Sequence, residues 1–446
     1  MKIVHLVAGA GGMYCGSCLH GNTLVAALRK EGRDALLLPM YTPLRTDEAD
    51  QSLELIAFGG VNVYLQQRWG LFRRLPAWCD WLWDRPALLG RVARRGSNTE
   101  PSQLGELCVS MLRGPAGNQR KEIHKLTRLL QRDELRPDLV HLNNALLLGI
   151  ADELRGQLGV RVVCSLTGED AFVEKLPEPW RGEAWRLMAE QARGCDALVA
   201  LSDYFACMMA ERLGVERNRI DVVSPGIAME GFPEDSDRAG VRVGAGAGTR
   251  PLRLGMVARV CPDKGVHLAA DALEILNSRE RRSALGGRPV ELHLAGYLAP
   301  GERAYLARIE RRLVEAGVAA HFCYHGEPDR QEKIDLLASL DVFCLPALLP
   351  EGKGLPVYEA WAAGVPVVLP EAGAFPEMVA ATGGGLLHAP GDAQSLAEAV
   401  TRLAIDPGLA HDLGRRGQVA VQREYTARAM ARRMGAIYDR VAGNPG

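Results

Sequence analysis

Residues 341–369 read DVFCLPALLPEGKGLPVYEAWAAGVPVVL, and this stretch decides the architecture. Residues 341–345 form a short apolar run, a loop rich in proline and glycine follows, 355–363 carries a helical pattern, and 365–369 is apolar again. Strand, loop, helix, strand is the repeating unit of a parallel sheet, because two parallel strands can be joined only by a long crossover. Working outward, the same alternation places strands at 252–258, 289–295 and 319–324, with helices near 264–277, 301–316 and 331–339. Further back, strands are expected at 2–8, 34–39, 61–65, 138–143, 160–166, 196–201 and 219–224, with helices at 19–30 and 120–132. The alternation runs twice and breaks at 225–251, where the run Gly244-Ala-Gly-Ala-Gly248 cannot sustain a core element. The expectation is an α/β fold with two Rossmann-like, doubly wound parallel-sheet domains facing each other across a cleft. The boundaries are 1–225, a linker at 226–251, and 252–425. Helices are expected at 393–405, 407–425 and 426–441.

The composition agrees with two packed domains. The chain has 446 residues, 47% apolar and 24% charged, which excludes a disordered polymer. Lys+Arg is 53 against Asp+Glu 54, so no global basic field exists to hold nucleic acid, and none is expected as a partner. No apolar run reaches the ~18–20 residues that a spanning helix requires. Residues 3–28 lack Asp, Glu, Lys and Arg, but their apolar run Ile3–Ala8 is too short and too polar in its sequel for a secretion signal. The expectation is a cytoplasmic protein. Ten cysteines fit a reducing compartment, and Cys164, Cys195, Cys323 and Cys344 sit in apolar runs as small hydrophobes. Cys15-Gly-Ser-Cys18 could form a redox pair or, with His20, half a metal site. The plainer reading is two thiols at a loop-to-helix junction, since no second CxxC follows.

In doubly wound sheets ligands sit beyond the carboxyl ends of the strands, so the loops there carry the chemistry. The strongest is Pro350-Glu351-Gly-Lys353-Gly354-Leu355-Pro356-Val357-Tyr358-Glu359. Pro356 suits a first helical position, leaving the N–H groups of Val357 and Tyr358 to favour an anion at the positive helix end. Glu359 in that first turn and Glu351 before it would accept hydrogen bonds from hydroxyls. A sugar nucleotide presents hydroxyl, phosphate, hydroxyl in that order. The second loop holds Arg259 and, five residues on, Lys264, which together offset about two negative charges. Lysines are scarce, 8 against 45 arginines, yet Lys264 and Lys353 both fall in these loops. The third loop, Gly9-Ala-Gly11-Gly12-Met13, lets a backbone approach phosphate, but Tyr14 occupies the last glycine position of a dinucleotide fingerprint.

The combination of Arg259, Lys264-Gly265, Glu351 and Glu359 with seven residues between, and Gly373-Ala-Phe-Pro376-Glu377 resembles retaining glycosyltransferases of family 4, which have the GT-B fold. The likeness extends to Pro137–His141, Leu201–Tyr204 and Ile220–Ile227. The resemblance implies that Arg259 and Lys264 hold the donor diphosphate, Glu359 the ribose and Glu351 the transferred sugar. Catalytic roles fall on Arg259, Lys264 and Glu351. The donor would be bound by these three with Gly354, Leu355, Val357 and Glu359, and by Gly11 and Gly12 from the first domain. The final helix would cross back onto that domain. The resemblance further implies transfer with retention, no metal and no cofactor. Residues 165–170, Ser-Leu-Thr-Gly-Glu-Asp, depart from the family pattern. Thr167 stands where a histidine is usual, and Asn143 replaces a second histidine after His141. Thr167, Glu169 and Asp170 fall on the acceptor side, where the two carboxylates either orient an acceptor hydroxyl or form an N-cap pair.

Residues 62–95 interleave Trp69, Trp78, Trp81 and Trp83 with Arg68, Arg73, Arg74, Arg85 and Arg91. Three readings stand: a helical insertion packed on domain one, a lid over an acceptor, or a peripheral patch on the inner face of the membrane. Residues 60–64, Gly-Val-Asn-Val-Tyr, are similar to the matching region of starch and glycogen synthases. The function expected is transfer of a sugar from a nucleotide-diphosphate donor to a hydroxyl acceptor. The rivals are a sugar-nucleotide epimerase or hydrolase, and a binding protein that has lost catalysis.

Overall fold

The computed structural model describes residues 1–9, 16–58, 63, 67, 101–233 and 250–443. The chain divides into two compact units, one made of 1–226 with 427–446 and the other of 227–426. Apart from its first residue, Gly226, the stretch expected as a linker therefore falls in the second unit. Ile227 bridges to Thr426, and Ile227 and Phe232 are buried, while 234–249 lie outside the described residues.

The first unit carries a six-stranded sheet of β1 (Lys2–Val7), β2 (Asp34–Pro39), β3 (Leu139–Leu142), β4 (Arg161–Leu166), β5 (Ala197–Ala200) and β6 (Ile220–Val222). Its order is β2-β1-β3-β4-β5-β6, with every pair parallel. The strand expected at 61–65 lies outside the described residues except for Val63, which is helical and buried. Helices cover both faces, so β3 and β5 are buried at every residue and read as unbroken apolar runs. One face packs Leu6, Val140 and Leu142 with the helices Pro101–Leu112 and Trp180–Ala192. The other packs Ile3, Val7 and Leu24 with Met430, Met434 and Tyr438 of the last helix, Ala427–Val441. That helix is locked by a bidentate pair from Arg33 to Asp439 at 2.8 and 2.6 Å.

The second unit repeats the plan with β7 (Leu252–Val257), β8 (Val290–Ala295), β9 (Phe322–Tyr324), β10 (Val342–Cys344), β11 (Val367–Pro370) and β12 (Gly385–His388). The order is β12-β11-β10-β7-β8-β9, again all parallel. Each sheet reverses direction once, between β1 and β3 in the first unit and between β7 and β10 in the second. At these two points the loops leave the sheet on opposite sides and open a crevice for a ligand.

Candidate active site

In the second unit both cation-bearing loops leave from the reversal point. Gly265, at φ 72°, caps the short turn Pro262–Lys264, and a Cβ there would strike the carbonyl of Pro346 at 1.8 Å. Only glycine lets the loop after β7 pass so close to the loop after β10. The Leu348 N–H donates to Asp263 O at 2.9 Å, fixing the two loops together. Gly373 lies against the backbone of Glu351, and the Ala374 N–H donates to Glu351 O at 2.8 Å.

This scaffold brings Lys264 Nζ into an ion pair with Glu351 Oε1, both side chains about four-fifths buried or more. Burial, then Arg259, then Lys353 push the Lys264 ammonium down to about 8, against the smaller pull of Cys261 and Asp263. Arg259 and Lys353 therefore lie within electrostatic reach of Lys264, an arrangement with spare positive charge for an anion. Arg259 is exposed and makes no hydrogen bond or ion pair among the described residues.

Glu359 is brought to the same helix but is not exposed there. It is 6% exposed and pairs with Lys333 Nζ at 2.5 Å. Lys333, from the helix Arg330–Ser339, escaped the sequence reading. The signal was present, since, of only eight lysines in the chain, Lys333 joins Lys264 and Lys353 as the third in this region. The helix starts at Leu355, where the 355–363 pattern places it, after Gly354 in the left-handed conformation, so the first helical position is not that of Pro356. Pro356 is thus its second residue, Glu359 lies just beyond the first turn, and the Val357 N–H is turned inward to Gly354 O at 2.9 Å. The backbone donors left over at this helix tip are those of Gly354 and Leu355 rather than Val357. Gly11 and Gly12 lie outside the described residues, as does Cys15; Cys18 is buried.

The corresponding end of the first sheet has a different character. Glu169 is 1% exposed, and its carboxylate accepts from the N–H groups of Ala145 at 2.7 Å and of Thr167 and Gly168 at 2.8 Å each. It does not cap the short helix Asp170–Val173 that follows; it clamps the loop after β4 to the loop after β3. Burial raises its carboxyl against the lowering effect of these donors. The Thr167 hydroxyl donates to Asn143 O at 3.0 Å and accepts from Asn144 Nδ2 at 3.0 Å, so it too ties the loops. Asp170 is half-buried. Behind them His141 joins Tyr438 Oη at 2.6 Å and Ser165 Oγ at 2.7 Å, while His5 meets Asn143 Oδ1 at 3.0 Å. Burial pushes His5 down to about 4 and His141 well below the ordinary imidazole value. The segment 62–95 lies outside the described residues apart from Val63 and Gln67. No helix among the described residues is long and apolar enough to cross a membrane.

Comparison with known proteins accounts for both sheets. The model "Glycosyl transferases group 1" matches residues 242–419, and "Glycosyltransferase Family 4" matches 93–230. A GDP-mannose-dependent alpha-(1-6)-phosphatidylinositol monomannoside mannosyltransferase of Mycobacterium tuberculosis is 28% identical over 268 residues, 58% of this chain and 64% of that protein. The matches span a little under two thirds of the length of such curated relatives. The sucrose-phosphate synthase of Thermosynechococcus elongatus superposes with a TM-score of 0.71 at 19% identity, covering 99% of each chain. Anabaena HepE in complex with UDP gives 0.67 at 18%, covering 99% of this chain and 100% of that one. With two parallel six-stranded sheets of the GT-B type and both family models matched in succession, this chain belongs to glycosyltransferase family 4.

Proposed function

We propose that the protein transfers a sugar, a hexose in the first instance, from a nucleotide-diphosphate donor to a hydroxyl acceptor, with retention and without a metal. The observation that carries this reading is the set of Arg259 and Lys353 within electrostatic reach of Lys264, itself paired with Glu351, at the reversal point of the second sheet. As the sugar departs, negative charge accumulates on the diphosphate, and cations already in place stabilise that state more than the bound donor. Lys264, held by Glu351, needs no rearrangement at that moment. The same cations supply the charge that a divalent metal would otherwise bring, so chelators should leave turnover intact. Glu351 faces the sugar hydroxyls and Glu359, oriented by Lys333, the ribose. Gly354 and Leu355 offer backbone N–H groups to phosphate, and the glycine loop with Gly11 and Gly12 would offer its own. Thr167, Glu169 and Asp170 shape the acceptor side, with half-buried Asp170 placed to meet an acceptor hydroxyl. The presence of UDP in HepE and the GDP-mannose dependence of the mycobacterial relative support a nucleotide-sugar donor. The aromatic and basic stretch 62–95 would supply a peripheral membrane contact, which co-sedimentation with anionic vesicles checks against variants of Trp78, Trp81 and Trp83.

A mass assay across UDP-, GDP- and ADP-sugars tests the whole reading. Transfer or slow donor hydrolysis supports it. An isomerised donor would make the protein an epimerase, and binding without turnover would make it a binding protein; either result sinks the proposal.

A further inference from the structure

Cys323 was expected to behave as a small buried hydrophobe, as Cys164, Cys195 and Cys344 do, but it is exposed. Its place in the sheet explains what it can do instead. β9 is the edge strand of the second sheet, only three residues long, and Cys323 pairs in register with His293 of β8. His325 follows two positions later, on the same face, because side chains alternate along a strand. His293 Nδ1 and His325 Nε2 are 2.9 Å apart, and their rings are stacked with an interplanar angle of 20°. One ligand atom from each of His293, Cys323 and His325 falls within 4.8 Å of the others.

We propose that His293, Cys323 and His325 at this edge bind a borderline divalent cation such as Zn²⁺. Two imidazoles and a thiolate are the donor set that this class of ion selects. Bond lengths of ~2.0–2.3 Å put tetrahedral ligands about 3.3–3.8 Å apart, so the two imidazoles part by about half an ångström and a rotation of the exposed Cys323 side chain closes the set. The outer contact is also in place. His293 Nε2 lies 3.3 Å from Glu291 Oε2, so its N–H can donate there while Nδ1 keeps its lone pair for the metal. A carboxylate behind a ligating histidine fixes the tautomer and strengthens the ligand. His325 and Cys323 are exposed, which leaves a fourth position open to water. On binding, the Cys323 thiol gives up its proton to solvent.

The site is separate from the donor machinery. His293 pairs with Gly255 in mid-strand, whereas Arg259 follows the end of β7. Its consequence is mechanical: a metal would clip a short edge strand to its neighbour.

Co²⁺ and Zn²⁺ added to the full-length protein test this, with Cys323→Ser and His325→Gln as variants at exposed positions where folding is not at stake. One Co²⁺ per chain should give an intense near-ultraviolet thiolate band. Both variants should weaken binding at least about tenfold, and Cys323→Ser should lose the band. Zn²⁺ should raise the thermal midpoint of the unaltered protein and not of the variants. No Co²⁺ binding, binding without a thiolate band, or a band unchanged in Cys323→Ser would each overturn the proposal.

Discussion

The two sheets share one topology, and their strand ends have been put to opposite uses. At the end of the first sheet Glu169, Thr167 and Asn143 are buried and bonded to backbone, and behind them His141 bonds Ser165 and Tyr438 while His5 bonds Asn143. At the end of the second, Arg259 is exposed and Lys264, Lys353 and Glu351 stay partly exposed with positive charge in excess. The same crevice geometry thus yields a rigid wall in one unit and a charged, ligand-seeking surface in the other. The distinction is energetic. A polar group whose partners are all internal contributes stability, whereas one left with unmet capacity contributes binding.

The contrast can be broken most directly through Glu169. Glu169→Ala strands three backbone N–H groups, so denaturant unfolding should show a loss of about 4 kcal/mol in the first unit. Glu351→Ala should cost stability little by comparison, and similar losses for the two would erase the distinction. Acid gives the next largest effect. His5 is held at about 4 in the folded protein against 6.5 in the unfolded chain. Between those values the unfolded state binds more protons, so stability is intact above about 6.5 and falls as pH drops toward 4. The loss is about 3 kcal/mol from His5, and His141 adds in the same direction. Titration of the unfolding midpoint checks this, and a flat profile over that window would mean that the wall is hydrated.

On the ligand-seeking side, Arg259→Ala should reduce turnover about a hundredfold, near 2.7 kcal/mol, with stability unchanged. Near-normal turnover would remove Arg259 from the diphosphate. The smallest effect concerns Lys264, which loses its proton as pH rises through about 8. The donor KM should climb a few-fold between about pH 7 and 9, and Lys264→Arg should flatten that rise. A slope that survives the substitution would assign it to another group.

Most of the architecture was legible because periodicity is local. Runs such as 252–258 and 289–295 announce buried parallel strands whatever lies elsewhere in the chain. The helices Asp203–Leu213 and Phe375–Thr382 and the strand Gly385–His388 were not singled out. The strand is four residues long, follows two glycines and is buried only at His388, so its pattern is weak. At the site, one residue of helix phase decided what the backbone offers. With Leu355 and not Pro356 in the first helical position, the Val357 N–H turns inward, although proline's preference pointed to the later start.

By itself, the amino-acid order determined the twofold α/β alternation, the loops that bear Arg259, Lys264, Glu351 and Glu359, and the family likeness, since each is written in contiguous residues. Which charges meet was decided only in three dimensions. Lys264 reaches Glu351 across 87 residues, Lys333 reaches Glu359 across 26, and Cys323 turns outward beside His293. Strand order and register set those meetings, and both follow from packing a whole sheet at once rather than from any one segment.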